Sequence, residues 1–128
     1  MKDLLSKLEK TNLLPLAFLG DSVHTQFVRE HVLENYNEKM QNFHKKASQF
    51  CKASHQSKVL EKIFNDLTDK EKEIVKRARN AKPKHTAKNS SSRDYMMATA
   101  FEALVGYLYL EENKERLFAV LNYSIQEE

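Results

Sequence analysis

The chain has 128 residues, with two glycines and two prolines where average usage would give about nine and about six. Tight turns with positive φ consume those residues, which excludes a β-sandwich or barrel built on many short hairpins. A composition of 30% charged and 41% hydrophobic residues excludes disordered and membrane-embedded classes, and a net charge of +3 permits nucleic-acid binding without demanding it.

Met1 to Thr11 reads as a short charged lead-in, with Leu4, Leu5 and Leu8 on one helical face. Asn12 to Pro15 is a start signal, because proline is tolerated in a first helical turn. The apolar positions Leu16, Leu19, Val23, Phe27, Val28 and Val32 then keep helical spacing to about Glu34, and Asn35-Tyr36-Asn37 breaks the helix. Residues 39–51 and 53–66 predict two further helices, with Phe43, Ala47, Phe50, Val59, Ile63 and Phe64 as their buried stripes. Thr68 to Glu71 has the pattern of a capping box and opens a basic helix through about Ala81. Lys82 to Ser92, with Pro83 and a serine run, is expected to be an irregular loop. Arg93 to Glu111 predicts a strongly apolar helix, and Lys114 to about Ile125 a closing one. The fold class is all-α, a compact bundle of six or seven helices forming one domain over residues 1–128.

Cys51 is the one cysteine, so no internal disulfide can form. A small buried role for it and a reducing, cytoplasmic location are the expectations, with no membrane partner and no signal peptide. His24, His31, His44 and His55 show no consistent ligand spacing. Ser22, His24 and Asp21 make no catalytic triad, since neighbouring helix positions do not face each other.

Three features stand out. Asp21 lies among apolar neighbours in mid-helix, where a buried carboxylate needs a cation or hydrogen bonds; a solvent-facing aspartate or a cap after Gly20 is the alternative. Glu102 is the only charge from Tyr95 to Leu110, so a central helix carries one acid that needs a cation, an ion pair or a wet cleft. Two carboxylates converging at a cleft are ligands that a hard cation such as Mg²⁺ prefers. The third feature is the basic stretch of Lys76, Arg77, Arg79, Lys82, Lys84, Lys88 and Arg93, with no acid between them. Asn80 and Asn89 add hydrogen-bonding groups, giving a phosphate-binding composition or, alternatively, a solvated helix face running into a loop. Both glycines sit inside helical patterns, Gly20 beside Asp21 and Gly106 one turn after Glu102, which suggests close helix–helix approach at the acids.

Leu16-Ala17-Phe18-Leu19-Gly20-Asp21-Ser22-Val23 resembles the first signature of the ribonuclease III catalytic domain, and Phe101-Glu102-Ala103-Leu104-Val105-Gly106 with Tyr107-Leu108-Tyr109-Leu110 resembles the second. Arg77 to Lys82, Lys88-Asn89 and Phe43 to Ser48 look like the Mini branch of that family, and the likeness covers roughly residues 12–120. The resemblance implies a homodimer that hydrolyses double-stranded RNA with Mg²⁺ and leaves 5′-phosphate and 3′-hydroxyl ends. It also implies a role in maturing 23S ribosomal RNA ends, and no double-stranded-RNA-binding domain. By resemblance Asp21 and Glu102 hold the metal, while Lys76, Arg77, Arg79, Asn80, Lys82, Lys84, Lys88, Asn89 and Arg93 grip RNA. The longer enzymes have acids where this chain has Ala17 and Thr99, so fewer carboxylates hold the ion. That loss leaves a non-catalytic RNA-binding scaffold as the alternative, with a helical protein-interaction module behind it.

Overall fold

The computed structural model of the chain describes residues 1–37, 39–81 and 92–126. Among these are seven α-helices: α1 Lys2–Lys10, α2 Leu14–Asn35, α3 Met40–Cys51, α4 Ala53–Ile63, α5 Asp69–Asn80, α6 Ser92–Leu110 and α7 Lys114–Ser124. A single 3₁₀ turn, Phe64–Asp66, continues α4, and no strand occurs among the described residues. The expected all-α bundle is therefore what forms. The lead-in is itself a helix, because Leu5 is buried and Leu8 packs against the core. The helix expected over 53–66 tightens into the 3₁₀ turn for its last three residues.

Helix α6 is buried on nearly every side and forms the axis of the bundle, as its apolar run requires. Helices α2, α4 and α5 lie against it, with α1 and α7 completing the shell. The main core joins Leu16, Leu60, Ile74, Phe101 and Leu104. A smaller cluster of Val28, Val32, Ala47 and Phe50 seats α3 on the second half of α2.

The buried row of α2 differs from the expected one. Leu16, Gly20, His24, Val28 and Val32 are buried at four-residue spacing, while Leu19, Val23 and Phe27 are only half-buried. A row at i, i+4 is the ridge by which one helix packs into another's groove, and here a glycine and a histidine belong to it. Gly20 was expected at a close helix approach, whereas hydrophobicity gave no sign of His24.

Two polar devices fix the far side of the bundle. Thr68 Oγ1 accepts from the Glu71 amide at 3.1 Å, and Glu71 Oε1 accepts from the Thr68 amide at 2.9 Å, so the capping box forms. The buried Glu71 carboxylate also receives Arg116 of α7 in a two-pronged pair, at 2.8 and 2.9 Å. Burial alone would raise its pKa, but the Arg116 guanidinium and the Thr68 amide hold it below the usual carboxylate value.

Candidate active site

Asp21 and Glu102 are brought together by the crossing of α2 over α6. That crossing is closer than side chains normally allow. A β-carbon built on Gly20 would overlap the carbonyl oxygen of Glu102 and lie 2.7 Å from its carbonyl carbon. One built on Gly106 would overlap the Leu16 carbonyl oxygen. Only glycine permits this backbone approach, so the two glycines serve as the hinge points of the contact, as their placement beside the acids suggested. Helix α2 runs unbroken from Leu14 to Asn35, which removes the reading of Asp21 as a cap on a helix restarted after Gly20.

Asp21 itself is solvent-exposed and Glu102 half-buried. The cost of burying charge therefore falls on Glu102 rather than on Asp21. Desolvation, followed by the hydrogen bond and the negative charge of Asp21, pushes the Glu102 carboxyl up to about 8. Opposing this, the Gln56 side chain of α4 hydrogen-bonds Glu102 in the sense that favours its charged form. The hydrogen bond to Asp21 and the burial of Glu102 make the charged form of Glu102 the one that a cation would stabilise.

The positions that lack acids are filled by structural residues. Ala17 is buried in the core, and the Thr99 hydroxyl donates back to the Tyr95 carbonyl at 2.9 Å. No cluster of three or more potential His, Cys, Asp or Glu ligands occurs among the described residues. The donor set is thus two carboxylates at the edge of solvent, one exposed and one half-buried. It fits a hard divalent cation that keeps several of its waters.

Behind Glu102 lies a polar group that sequence reasoning passed over. His24 is fully buried; its Nε2 lies 2.9 Å from Ser124 Oγ and its Nδ1 3.0 Å from Gln56 Nε2. Burial, and then the neighbouring His55, lowers the His24 pKa to about 4, so its imidazole is neutral at pH 7. His55 Nε2 donates to the Ser124 carbonyl at 2.6 Å. The four residues come from α2, α4 and α7, and no spacing in the sequence announces them. The one available signal was a histidine and a glutamine on apolar helical faces.

Cys51 is half-buried and free, at the end of α3. Desolvation raises its thiol to about 11, while a hydrogen bond with Thr25 acts in the opposite direction. It is consequently no thiolate at neutral pH.

The basic residues divide into three groups. Lys76, Arg77 and Asn80 lie exposed on α5, with Lys76 reaching over the Phe64 ring. Arg77 is partly committed within the fold, donating to the Glu9 carbonyl at 2.6 Å and facing Glu73. Arg79 and Arg93 line one cleft with Phe64, Met96 and Met97, and there Arg93 pairs with Glu61 at 3.4 Å. Lys82, Lys84, Lys88 and Asn89 lie outside the described residues.

The ribonuclease III domain model matches residues 14–113. A Mini-ribonuclease 3 of Brevibacillus brevis is 43% identical over 111 residues, covering 87% of this chain and 83% of the relative. That of Staphylococcus aureus is 39% identical over 113 residues, covering 87% and 84%. A crystal structure of a Fusobacterium nucleatum protein matches with a TM-score of 0.82 at 32% identity, over 90% of this chain and 92% of that one. The all-helical domain is thus of the ribonuclease III catalytic type, and the chain belongs to that family, which acts on double-stranded RNA. Within the family it falls in the Mini-ribonuclease 3 branch and is an endoribonuclease, which sets the scaffold and interaction-module alternatives aside.

Proposed function

We propose that this endoribonuclease is Mg²⁺-dependent, that Asp21 and Glu102 hold the ion, and that it trims 23S ribosomal RNA precursors in the cytoplasm as a homodimer. The observation that carries the reading is the pairing of the Asp21 and Glu102 carboxyls at a solvent-facing edge of the α2–α6 crossing. Asp21 and Glu102 would hold the ion, and its positive charge would favour the charged form of Glu102 against the desolvation and the Asp21 charge that raise its pKa. When bound, Mg²⁺ lowers the pKa of a coordinated water and neutralises charge on the scissile phosphate, giving 5′-phosphate and 3′-hydroxyl products. The chain's own contribution is to hold both carboxylates on helices whose backbones are in contact.

Lys76, Arg79, Asn80 and Arg93, with Arg77 and the residues Lys82, Lys84, Lys88 and Asn89, form the proposed grip on the sugar-phosphate backbone. An A-form duplex is held by such contacts and by its 2′-hydroxyls rather than by reading bases. These contacts lie on the ribonuclease III domain itself, which spans residues 14–113. In the proposed homodimer Phe18, which is 86% exposed, would be covered. No described helix is long and apolar enough to cross a membrane.

The test is incubation with end-labelled double-stranded RNA in Mg²⁺ or in EDTA. Discrete cleavage in Mg²⁺ alone supports the reading, and cleavage that persists in EDTA contradicts it. Binding measured in Ca²⁺ is expected to weaken steeply with salt, with a log–log slope well below about −1 for several phosphate contacts.

A further inference from the structure

The hydrogen-bond polarity behind Glu102 can be assigned atom by atom. The Ser124 hydroxyl donates its only proton to the Leu121 carbonyl at 2.6 Å. Its oxygen must then accept from His24 Nε2, 2.9 Å away, which places the imidazole proton on Nε2. His24 Nδ1 is left as an acceptor, and its partner at 3.0 Å is the Gln56 amide nitrogen. A rotated Gln56 amide would set its oxygen against the Nδ1 lone pair, so the NH₂ group is locked toward His24 and toward the Glu102 carboxyl that it also bonds.

Every link is dry. His24 and Ser124 are fully buried and Gln56 is 2% exposed, so water cannot substitute for a lost partner. Ser124 is also pinned through its carbonyl by His55, and the His24 ring meets the Phe101 ring edge-on at 5.2 Å, beside Glu102 itself.

We propose that Gln56 is a positioning residue for Glu102, and that the Ser124–His24 pair sets the orientation of its amide. The donated hydrogen bond occupies one lone pair of the carboxylate and turns the rest of the group toward Asp21. This proposal rests on the reading of Asp21 and Glu102 as metal ligands. Partners that orient a ligand typically contribute about 10- to 100-fold in metal affinity or activity, which sets the effect to look for.

The experiment combines two measurements on RNA-free protein. Isothermal titration with Mn²⁺ compares the native chain with Gln56→Leu, and ¹⁵N NMR of the native chain reads the His24 tautomer. The expected results are about 10-fold or more weaker Mn²⁺ binding by folded Gln56→Leu, and a His24 ring protonated at Nε2 whose Nδ1 resonance shifts on adding Mg²⁺. Equal Mn²⁺ affinity in folded Gln56→Leu overturns the proposal while leaving the carboxylate reading intact. A proton on His24 Nδ1 overturns it even where the variant fails to fold. A native chain that binds no Mn²⁺ removes the carboxylate reading and this proposal with it.

Discussion

Gly20 of α2 lies directly against the backbone carbonyl of Glu102 of α6, so the residue beside one acid is in contact with the main chain of the other. The separation of the two carboxylates is therefore set by backbone contact rather than by adaptable side chains. Gly20→Ala puts a methyl group where that carbonyl oxygen stands, and the helices must move apart. We expect a loss of about 3 kcal/mol or more in stability by denaturant unfolding, with a parallel loss of cleavage. Gly106→Ala, which meets the Leu16 carbonyl, should behave alike. Unchanged stability and cleavage in either variant would show that the crossing is looser than described.

Stability of the metal-free protein should fall as pH rises from about 6.5 to about 8. Glu102 is raised from 4.5 to about 8 in the folded chain, so the folded state holds an extra proton in that window and loses stability as pH climbs through it. His24 is lowered from 6.5 to about 4, so its contribution has the opposite slope and is complete by pH 6.5. The two oppose each other between about 4.5 and 6.5, and only the Glu102 slope remains above. Thermal melts in EDTA should show the decline, and added Mg²⁺ should flatten it by replacing the proton. A melting temperature that rises from pH 6.5 to 8 in EDTA would contradict the paired carboxyls.

Arg116 is expected to matter for stability and not for chemistry. Its two-pronged bond to buried Glu71 joins α7 to the start of α5, away from both acids. Arg116→Ala leaves that carboxylate with Thr68 alone among its hydrogen-bond partners, and should cost about 2 kcal/mol, less than a fully buried pair because Arg116 is partly exposed. Cleavage per folded molecule at low temperature should stay close to normal.

Phe18 is 86% exposed on α2, three residues before Asp21. In the proposed homodimer that ring is covered. Phe18→Glu should shift the mass measured by light scattering from dimer toward monomer with little change in helical content by circular dichroism. A native chain that is monomeric at all concentrations would dismiss the dimer.

The fold was largely legible because each helix carries its own local signals. The Thr68 capping box, Pro15 in a first turn and the apolar run before Glu111 each depend on residues close in sequence. The two acids were legible as charges out of place, and the glycines as helix-weakening residues beside them. What escaped was everything made by packing between distant segments. His24 meets Gln56 across 32 residues and Ser124 across 100, and no helical period links them. The exposure of Asp21 was left open as the solvent-facing alternative, since an apolar stretch does not reveal which of its faces meets water. Thr99, read from the sequence as standing where longer relatives carry an acid, turns its hydroxyl back onto the Tyr95 carbonyl of its own helix.

The most direct test of the central claim is single-turnover cleavage of a labelled RNA duplex at saturating Mg²⁺ by Asp21→Asn and Glu102→Gln, each shown folded by thermal melting. If both carboxylates hold the ion, each variant should lose about a thousandfold in rate, the equivalent of about 4 kcal/mol of electrostatic stabilisation. Near-native Mg²⁺-dependent cleavage by folded Asp21→Asn would contradict it.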